Sequence, residues 1–185
     1  MGKTTAAKFL QSRGAKIMDT DQLARELVEP GQPALAQIKH AFGPKVLAPD
    51  GSLNRGALGN IVFNDARARK KLEDILHPRI RELWLAQVES WRGESCPLAV
   101  VVIPLLYETR AESYFDKIIC VACSEKSRHE RLQKRGWTSE QIEKRITAQM
   151  PIEDKIGRAG FIIWSEGDFE NHSRQVDCIL KGLAA

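Results

Sequence analysis

Three residues at the start of the chain, Gly2-Lys3-Thr4, have the types and the order that end a phosphate-binding loop. Such a loop reads G-x-x-x-x-G-K-[ST], and the helix after it offers N–H groups and a positive dipole end to phosphate. Lys3 would reach the β- and γ-phosphates, and the Thr4 hydroxyl would ligate Mg²⁺. The triplet alone is weak evidence, because ordinary residue usage produces it by chance in roughly one chain in ten of this length.

A second candidate is the pair of acids Asp19 and Asp21, which follows a short apolar stretch at residues 15–18. Side chains at positions i and i+2 of a strand point the same way, so both carboxylates would face one site. A carboxylate there can accept a proton from an attacking hydroxyl or hold Mg²⁺. An equally good local interpretation makes Asp21 the N-cap of a helix at residues 22–29 and Asp19 part of a turn.

Arginines form the third candidate group. Their spacing places Arg128, Arg131 and Arg135 on one face of a predicted helix at residues 125–135, and Arg145 follows in the next helix. Arginines on a mobile segment can stabilise the charge of a phosphoryl group during transfer. Without further support, a solvated helix face is the more common interpretation.

Two further residues are candidates because of their neighbours in the sequence. His77 precedes Pro78, which favours a structural position at a helix boundary over catalysis. Glu108 follows the apolar run at residues 98–104, so it lies near the expected site, although an acid at a helix start is also consistent with this position. The remaining histidines lack ligand spacing and are predicted at the surface: His40, His129 and His172.

Composition limits the classes of function. The chain has 185 residues with 28 Lys or Arg and 24 Asp or Glu, a net charge of +4, which suits a small anionic ligand but is too weak to argue for nucleic acid. No apolar run approaches the roughly 20 residues of a membrane helix, and no signal pattern opens the chain, so we expect a cytoplasmic protein without a membrane partner. Cys120 and Cys123 form a CxxC inside an apolar run, which favours burial in a strand over metal or redox chemistry.

The elements that must position these residues alternate between helices and strands. The region 32–95 contains helical patterns without a convincing strand, which indicates a helical insertion. Alternation predicts an α/β fold with a parallel sheet, whose ligand lies beyond the carboxyl ends of the strands, after residues 18, 104 and 123. Strands are predicted at 15–18, 98–104, 117–123 and 160–164, and helices at 4–13, 22–29, 125–135, 139–149 with a Thr138–Gln141 capping box, a short one from Pro151, and 168–183.

Several stretches together resemble the dephospho-CoA kinase family. The matching segments are "GKTTAAKFL", "IMDTDQLARELVEPGQPAL", "FGPKVLAPDGSLNRGALGNIVFNDARARKKLEDILHPRI", "VVIPLLYE" and "RLQKRGWTSEQIEKRITAQMPIEDKIGRA". They cover most of residues 2–159 in order. The resemblance implies a P-loop kinase fold, three layers of α/β/α around a parallel sheet, that transfers the ATP γ-phosphoryl group to the ribose 3′-hydroxyl of dephospho-CoA.

The resemblance also implies a division of the chain and a set of roles. The nucleotide-binding core would comprise residues 1–30, 96–135 and 159–185. The helical substrate domain would comprise residues 31–95, and residues 136–158 would form a lid that excludes water. Asp21 would be the base on the 3′-hydroxyl, and ATP with Mg²⁺ would complete the site. The implied catalytic residues are Asp21, Lys3, Arg135 and Arg145; the implied ATP-binding residues are Gly2, Lys3, Thr4, Thr5 and Arg135; the substrate side has Asp19, Arg25, His77 and Glu108; Mg²⁺ would be held by Thr4 and Asp19.

The sequence departs from the family pattern in two places. An apolar strand and a glycine-rich run should precede Gly2, so we expect an internal methionine taken as the start, or a cropped product. A chain of these 185 residues is then expected to fold poorly or bind ATP weakly, since most of the phosphate cradle would be missing. Near the other end, Gly160 replaces an acid and Trp164-Ser165 replace a polar pair, which puts adenine contacts from 160–167 in question.

Two alternatives remain open at this point. One is another small-substrate P-loop kinase. The long matching segment at residues 42–80, inside the helical insertion, argues against it. The other is a non-catalytic relative that kept the fold and lost the cradle, against which Lys3, Thr4, Asp21 and Glu108 argue. Nucleic-acid binding has only the net charge and an arginine face in its favour. Oligomeric state is not predicted.

Overall fold

The computed structural model describes residues 1–184, which fold into helices alternating with short strands. The α/β prediction is confirmed, and the strands lie close to their predicted positions. The strands are β1 (Lys16–Asp19), β2 (Ala99–Val102), β3 (Ile119–Ala122) and β4 (Phe161–Trp164). The helices are α1 (Lys3–Gln11), α2 (Thr20–Glu26), α3 (Pro33–Phe42), α4 (Arg55–Asn64), α5 (Ala66–Gly93), α6 (Glu125–Gln133), α7 (Ser139–Thr147), α8 (Ile152–Arg158) and α9 (Phe169–Ala184), with 3₁₀ helices at Pro44–Val46 and Glu112–Tyr114.

Within the described residues the strands form two pairs, β1 with β2 and β3 with β4, where one sheet was predicted. Backbone hydrogen bonds join the described strands only within each pair. The chain divides into two compact units. The first unit contains residues 1–17 and the residues from 105 onward, and the second unit contains residues 18–104.

The first unit is built around the parallel pair of β3 and β4. Ile119 lies opposite Phe161, and Ala122 lies opposite Trp164. Ile163 of β4 and Val176 of α9 are completely buried in this unit. Cys120 and Cys123 are also buried, which agrees with the structural interpretation of the CxxC.

A bidentate ion pair joins helix α9 of this unit to the turn that follows α1. Arg13 Nε donates to Asp177 Oδ1 at 2.5 Å and Arg13 Nη2 donates to Asp177 Oδ2 at 3.0 Å. The same Nη2 donates to Ser173 Oγ at 2.6 Å. The fork of the guanidinium matches the carboxylate geometry, so this contact fixes α1 against α9.

The second unit has a hydrophobic core of its own, as the predicted helical insertion requires. Val28, Ile38, Val46, Leu58 and Val62 form its buried centre. Partly buried apolar side chains of α5 pack against them: Ala68, Leu72, Ile75 and Leu76. The predicted absence of a strand in residues 32–95 holds apart from one isolated antiparallel bridge between Leu47 and Leu53.

The prediction that His77 lies at a helix boundary is wrong. His77 and Pro78 lie inside α5, which is 28 residues long. Pro78 lacks the N–H that would continue the helical hydrogen bonds, and Arg79 Nη1 donates to the Ile75 carbonyl at 2.5 Å within the same turn. Packing of the apolar face of α5 on the second unit's core therefore outweighs the cost of an internal proline.

Three helix ends decide where candidate side chains lie. Strand β1 ends at Asp19, and this residue, not Asp21, is the N-cap of α2, its Oδ1 accepting from the Asp21 N–H at 2.9 Å. The strand alternation expected to align Asp19 with Asp21 therefore does not apply. Helix α6 ends at Gln133, so Arg135 lies in the turn beyond it and not on the helix face with Arg131. The Thr138–Gln141 capping box is confirmed.

The helices of residues 1–184 are all too short or too polar to cross a membrane.

Candidate active site

The N-terminus of α1 has the geometry expected of a phosphate-binding helix start. Gly2 is the N-cap, with a left-handed φ of 77°, and its carbonyl accepts the Ala6 N–H at 3.0 Å. Lys3, Thr4 and Thr5 form the first turn. A side chain at Gly2 would lie 2.8 Å from Ser165 Cβ, so glycine is required here by both the backbone and its neighbour.

Positive charge collects around this helix start. The Met1 amino group has its pKa lowered, first by burial and then by the charges of Lys3, Arg131 and Arg135, while Cys123 acts in the opposite direction. These three cations belong to different elements, namely α1, α6 and the turn after α6. Together with the positive dipole end of α1, they make the region suitable for a polyanion.

Ser165 connects α6 to the residues that precede α1. Arg131 Nη1 donates to Ser165 Oγ at 2.9 Å, and Arg131 Nη2 donates to the Ser165 carbonyl at 2.5 Å. Ser165 Oγ in turn donates to the Met1 carbonyl at 3.1 Å. Sequence reasoning marked Ser165 only as a departure from the family pattern, and no spacing rule identified its partners.

The next residue, Glu166, holds the start of α6. Its carboxylate accepts the Ser124 N–H at 2.9 Å and the Ser124 hydroxyl, while its other oxygen accepts Trp164 Nε1–H at 2.9 Å. Hydrogen bonds from the Ser124 and Ser127 side chains, the Ser124 amide and the Trp164 indole lower the Glu166 pKa to about 2. The loop after β4 is thereby joined to the helix that carries Arg131.

His172 was predicted at the surface, and that prediction is wrong. The side chain is 5% exposed, packs edge-on against the Phe9 ring with centroids 5.5 Å apart, and lies beside Gly2. Burial, followed by the charge of Arg131, lowers the His172 pKa. Helix α9 is strongly amphipathic, and His172 lies on its buried face. The helical periodicity of apolar residues in α9 could have indicated this burial, whereas the spacing between histidines could not.

Glu108 lies after β2, as predicted, and has two partners in the first unit. Lys155 Nζ lies 2.7 Å from Glu108 Oε1, and the Met150 N–H donates to the same oxygen at 2.9 Å. Burial acts to raise the Glu108 pKa, but the hydrogen bonds from Lys155 and Met150 outweigh it, so the pKa is lowered. Lys155 is itself buried, and its role in this contact was not predicted from the sequence.

Arg145 lies on α7, and its guanidinium stacks on an aromatic ring. Its Cζ atom lies 3.7 Å from the centroid of the Trp137 ring. A guanidinium over an indole face is a favourable cation–π contact. Trp137 therefore contributes to the position of this candidate catalytic arginine.

The second unit contains the remaining candidates. Asp19 caps α2, while Asp21 and Arg25 lie on α2 itself. Asp21 is exposed, and Arg25 lies in the last turn of the helix. His77 is half-buried on α5, and burial is the main cause of its lowered pKa, with smaller opposed effects of Glu73 and Arg81. The candidates in the first unit are Gly2, Lys3, Thr4, Thr5, Glu108, Arg135 and Arg145.

The available donors fit magnesium better than a softer metal. Among residues 1–184, no group of three or more His, Cys, Asp or Glu side chains could hold a metal ion by itself. Thr4 in the first unit carries a hydroxyl and Asp19 in the second unit carries a carboxylate, and each is by itself a hard oxygen donor. Mg²⁺ in kinases is held by one or two protein oxygens together with substrate phosphates and water, so a small oxygen set is sufficient.

Comparison with known proteins gives consistent matches. A family model described as dephospho-CoA kinase matches residues 1–171. A dephospho-CoA kinase from Bdellovibrio bacteriovorus is 38% identical over 98% of this chain and 90% of its own length. One from Moorella thermoacetica is 45% identical over 91% of this chain and 81% of its own length.

Solved structures agree in fold. TT1252 from Thermus thermophilus superposes with a TM-score of 0.81 at 32% identity, covering 98% of this chain and 92% of the other. A dephospho-CoA kinase from Campylobacter jejuni gives a TM-score of 0.71 at 28% identity, covering 98% and 91%.

Proposed function

The chain belongs to the dephospho-CoA kinase family, and from this we propose that it transfers the γ-phosphoryl group of ATP to the ribose 3′-hydroxyl of dephospho-CoA. The observation that carries this proposal is the concentration of Lys3, Arg131 and Arg135 around the start of α1. Phosphoryl transfer needs mainly positioning and stabilisation of negative charge, and a cationic helix start supplies both.

On the donor side, the first turn of α1 binds the phosphates. Gly2, Lys3, Thr4 and Thr5 present backbone N–H groups, and the Lys3 ammonium neutralises the β- and γ-phosphate charge. Thr4 and Asp19 are the residues that would hold Mg²⁺, which supplies neutralisation of charge on the transferring group. Arg135 and Arg145 add positive charge to the same group when the lid, residues 136–158, closes over ATP.

On the acceptor side, Asp21 accepts the proton of the 3′-hydroxyl. Its carboxylate is exposed on the first turn of α2 and is therefore accessible to a substrate. We assign Arg25, four residues later on α2, and Asp19 to substrate binding. We also assign His77 of α5 to it, within the proposed substrate domain of residues 31–95. The hydroxyl oxygen attacks the γ-phosphorus as its proton moves to Asp21. The bond from the γ-phosphorus to the bridging oxygen breaks, and ADP leaves with that electron pair.

The test is turnover of purified protein with ATP, Mg²⁺ and dephospho-CoA, followed by mass spectrometry of the acceptor and by ADP release. We expect a product heavier by one phosphoryl group and dependent on dephospho-CoA. Lys3→Met should reduce kcat by about a hundredfold or more, and Asp21→Asn by a comparable factor, since each removes charge stabilisation or the base.

A panel of nucleoside monophosphates as acceptors distinguishes the other candidates. Phosphorylation of one of them in preference to dephospho-CoA would identify a different small-substrate kinase. Saturable ATP binding without turnover of any acceptor would instead identify a non-catalytic relative.

A further inference from the structure

Two ion pairs join the segment 107–112 to the segment 150–158 within the first unit. The first is the pair of Lys155 and Glu108, with side chains only 10% and 21% exposed. The second joins Arg158 Nη2 to Glu112 Oε1 at 2.7 Å. The Arg158 guanidinium carbon also lies 4.3 Å from the centroid of the Tyr107 ring.

The backbone takes part in the first of these contacts. Glu108 Oε1 accepts the Met150 N–H at 2.9 Å as well as the Lys155 ammonium. Met150 lies between the end of α7 at Thr147 and the start of α8 at Ile152. One carboxylate oxygen therefore fixes both the connection between the two helices and the middle of α8.

Three contacts of residues 136–149 run to other parts of the chain than the ion pairs of 150–158. Lys144 pairs with Glu140 inside α7, and Arg145 stacks on Trp137. Glu143 Oε1 lies 3.0 Å from His129 Nε2 on α6. These three contacts stay inside the segment or reach α6, whereas the ion pairs of 150–158 reach the segment after β2.

We propose that Glu108 and Lys155 anchor residues 150–158 to the segment after β2, so that closure of the lid is confined to residues 136–149. Glu108 is then a positioning residue, although the family resemblance placed it on the substrate side. This inference rests on the proposed kinase function for its lid, but the anchor itself is a property of the folded chain.

The balance of charge supports a positioning role. A buried lysine requires a partner, since an ammonium group removed from water and left unpaired is strongly unfavourable. Glu108 is a partner of Lys155, and its Oε1 atom already has two donors. A substrate group that took this oxygen would have to displace both donors and disrupt the pairing of the buried Lys155.

The first test is amide hydrogen exchange of the purified full chain, followed residue by residue. In Glu108→Ala we expect the Met150 amide to exchange at least about tenfold faster, together with faster exchange across 150–158. Adding Lys155→Met to this variant should restore part of the protection in 150–158, because it removes the buried charge whose ion pair with Glu108 was broken. Glu140→Ala is the matched control: it breaks an exposed ion pair inside α7 and should leave 150–158 unchanged.

A conservative variant keeps the test valid if Glu108→Ala does not fold. Glu108→Gln retains the volume and an acceptor oxygen but removes the charge, so it should give a smaller acceleration of the same amides. Unchanged exchange of Met150 in either variant would overturn the anchor.

Kinetics separate positioning from substrate contact. With ATP and dephospho-CoA, Glu108→Gln should lower kcat by about tenfold and change KM for dephospho-CoA by less than about threefold. A large rise in KM with unchanged kcat would refute the positioning role and return Glu108 to the substrate side. If the chain does not turn over, the proposed function fails, yet the exchange data still decide the anchor. In the wild-type chain, addition of a non-hydrolysable ATP analogue should slow amide exchange in residues 136–149 and leave the exchange rates of residues 150–158 unchanged.

Discussion

Replacement of Ser165 by alanine tests whether the loop after β4 holds the phosphate-binding helix start. Ser165 is 6% exposed, and its hydroxyl both accepts from Arg131 and donates to the Met1 carbonyl. The substitution removes one hydrogen bond with a charged donor and one between neutral groups, but leaves the bond from Arg131 to the Ser165 carbonyl. We therefore expect local damage and not a loss of the fold.

The magnitude follows from these two bonds. A hydrogen bond to a charged group contributes about 1.5–3 kcal/mol and a neutral one about 0.5–1.5 kcal/mol. Arg131 is half-buried and water replaces part of what it loses, so the expected loss in Ser165→Ala lies near the lower sum, about 2 kcal/mol. With a urea m-value of about 2 kcal/mol per molar, the unfolding midpoint should fall by about 1 M.

The assay is urea unfolding followed by far-UV circular dichroism, with Ser12→Ala as the matched control. Ser12 is an exposed serine at the end of α1. Its hydroxyl donates to the Phe9 carbonyl at 2.9 Å and accepts from Arg13 Nη1 at a long 3.4 Å. Because water can replace both exposed contacts, the loss in Ser12→Ala should be less than about 0.5 kcal/mol. ATP affinity should fall in Ser165→Ala and stay unchanged in Ser12→Ala. Equal effects of the two substitutions on stability would refute the idea that Ser165 connects α6 to the start of α1.

Three further predictions concern the same unit. Gly2→Ala and Gly14→Ala both place a side chain at positive φ, which costs about 1–2 kcal/mol, but only at Gly2 does the new methyl group meet a neighbour. Thermal unfolding should therefore show about 1–3 kcal/mol more destabilisation in Gly2→Ala, and only this variant should lose ATP affinity. Equal losses of stability in the two variants would contradict this. Glu166 has a folded pKa of about 2 against 4.5 for the free group, so its carboxylate stabilises the fold fully above about pH 4.5 and loses this effect as pH falls toward 2. The gap between the urea midpoints of wild type and Glu166→Gln should close over that range, and a gap independent of pH would exclude the carboxylate as its cause. Trp137→Leu removes the ring under Arg145, a contact of about 0.5–2 kcal/mol, and should lower kcat about three- to tenfold. Trp137→Phe retains an aromatic ring and should lower kcat less. An unchanged kcat in both variants would show that the contact does not serve catalysis.

Features that depend on neighbours in the sequence could be predicted from the sequence. The Thr138–Gln141 capping box spans one helical turn, so residue types and spacing suffice to predict it. The apolar runs at 117–123 and 160–164 predicted the positions of β3 and β4. The expectation that the run at 117–123 is buried on both faces is wrong, because burial alternates along β3. The order of motifs indicated the family, which the comparisons confirmed.

Competition between neighbouring residues for one backbone position was harder to predict. Asp19 and Asp21 are both good helix caps, and the end of β1 at Asp19 decided between them. His77-Pro78 resembles a helix end in isolation, yet the apolar face of α5 packs on the core of the second unit and the helix continues through both residues. Local preference and tertiary packing disagreed there, and packing contributed more free energy.

Contacts between residues far apart in the sequence were decided by the tertiary structure alone. Arg131 meets Ser165 across 34 positions, and Met150 meets Glu108 across 42. His172 is buried because α9 turns that face inward against α1. The sequence by itself therefore determined the family, the elements and the chemical types at the site. The partners that fix those groups depend on which surfaces pack together, because burial and ion pairing are set by neighbours that no local spacing contains.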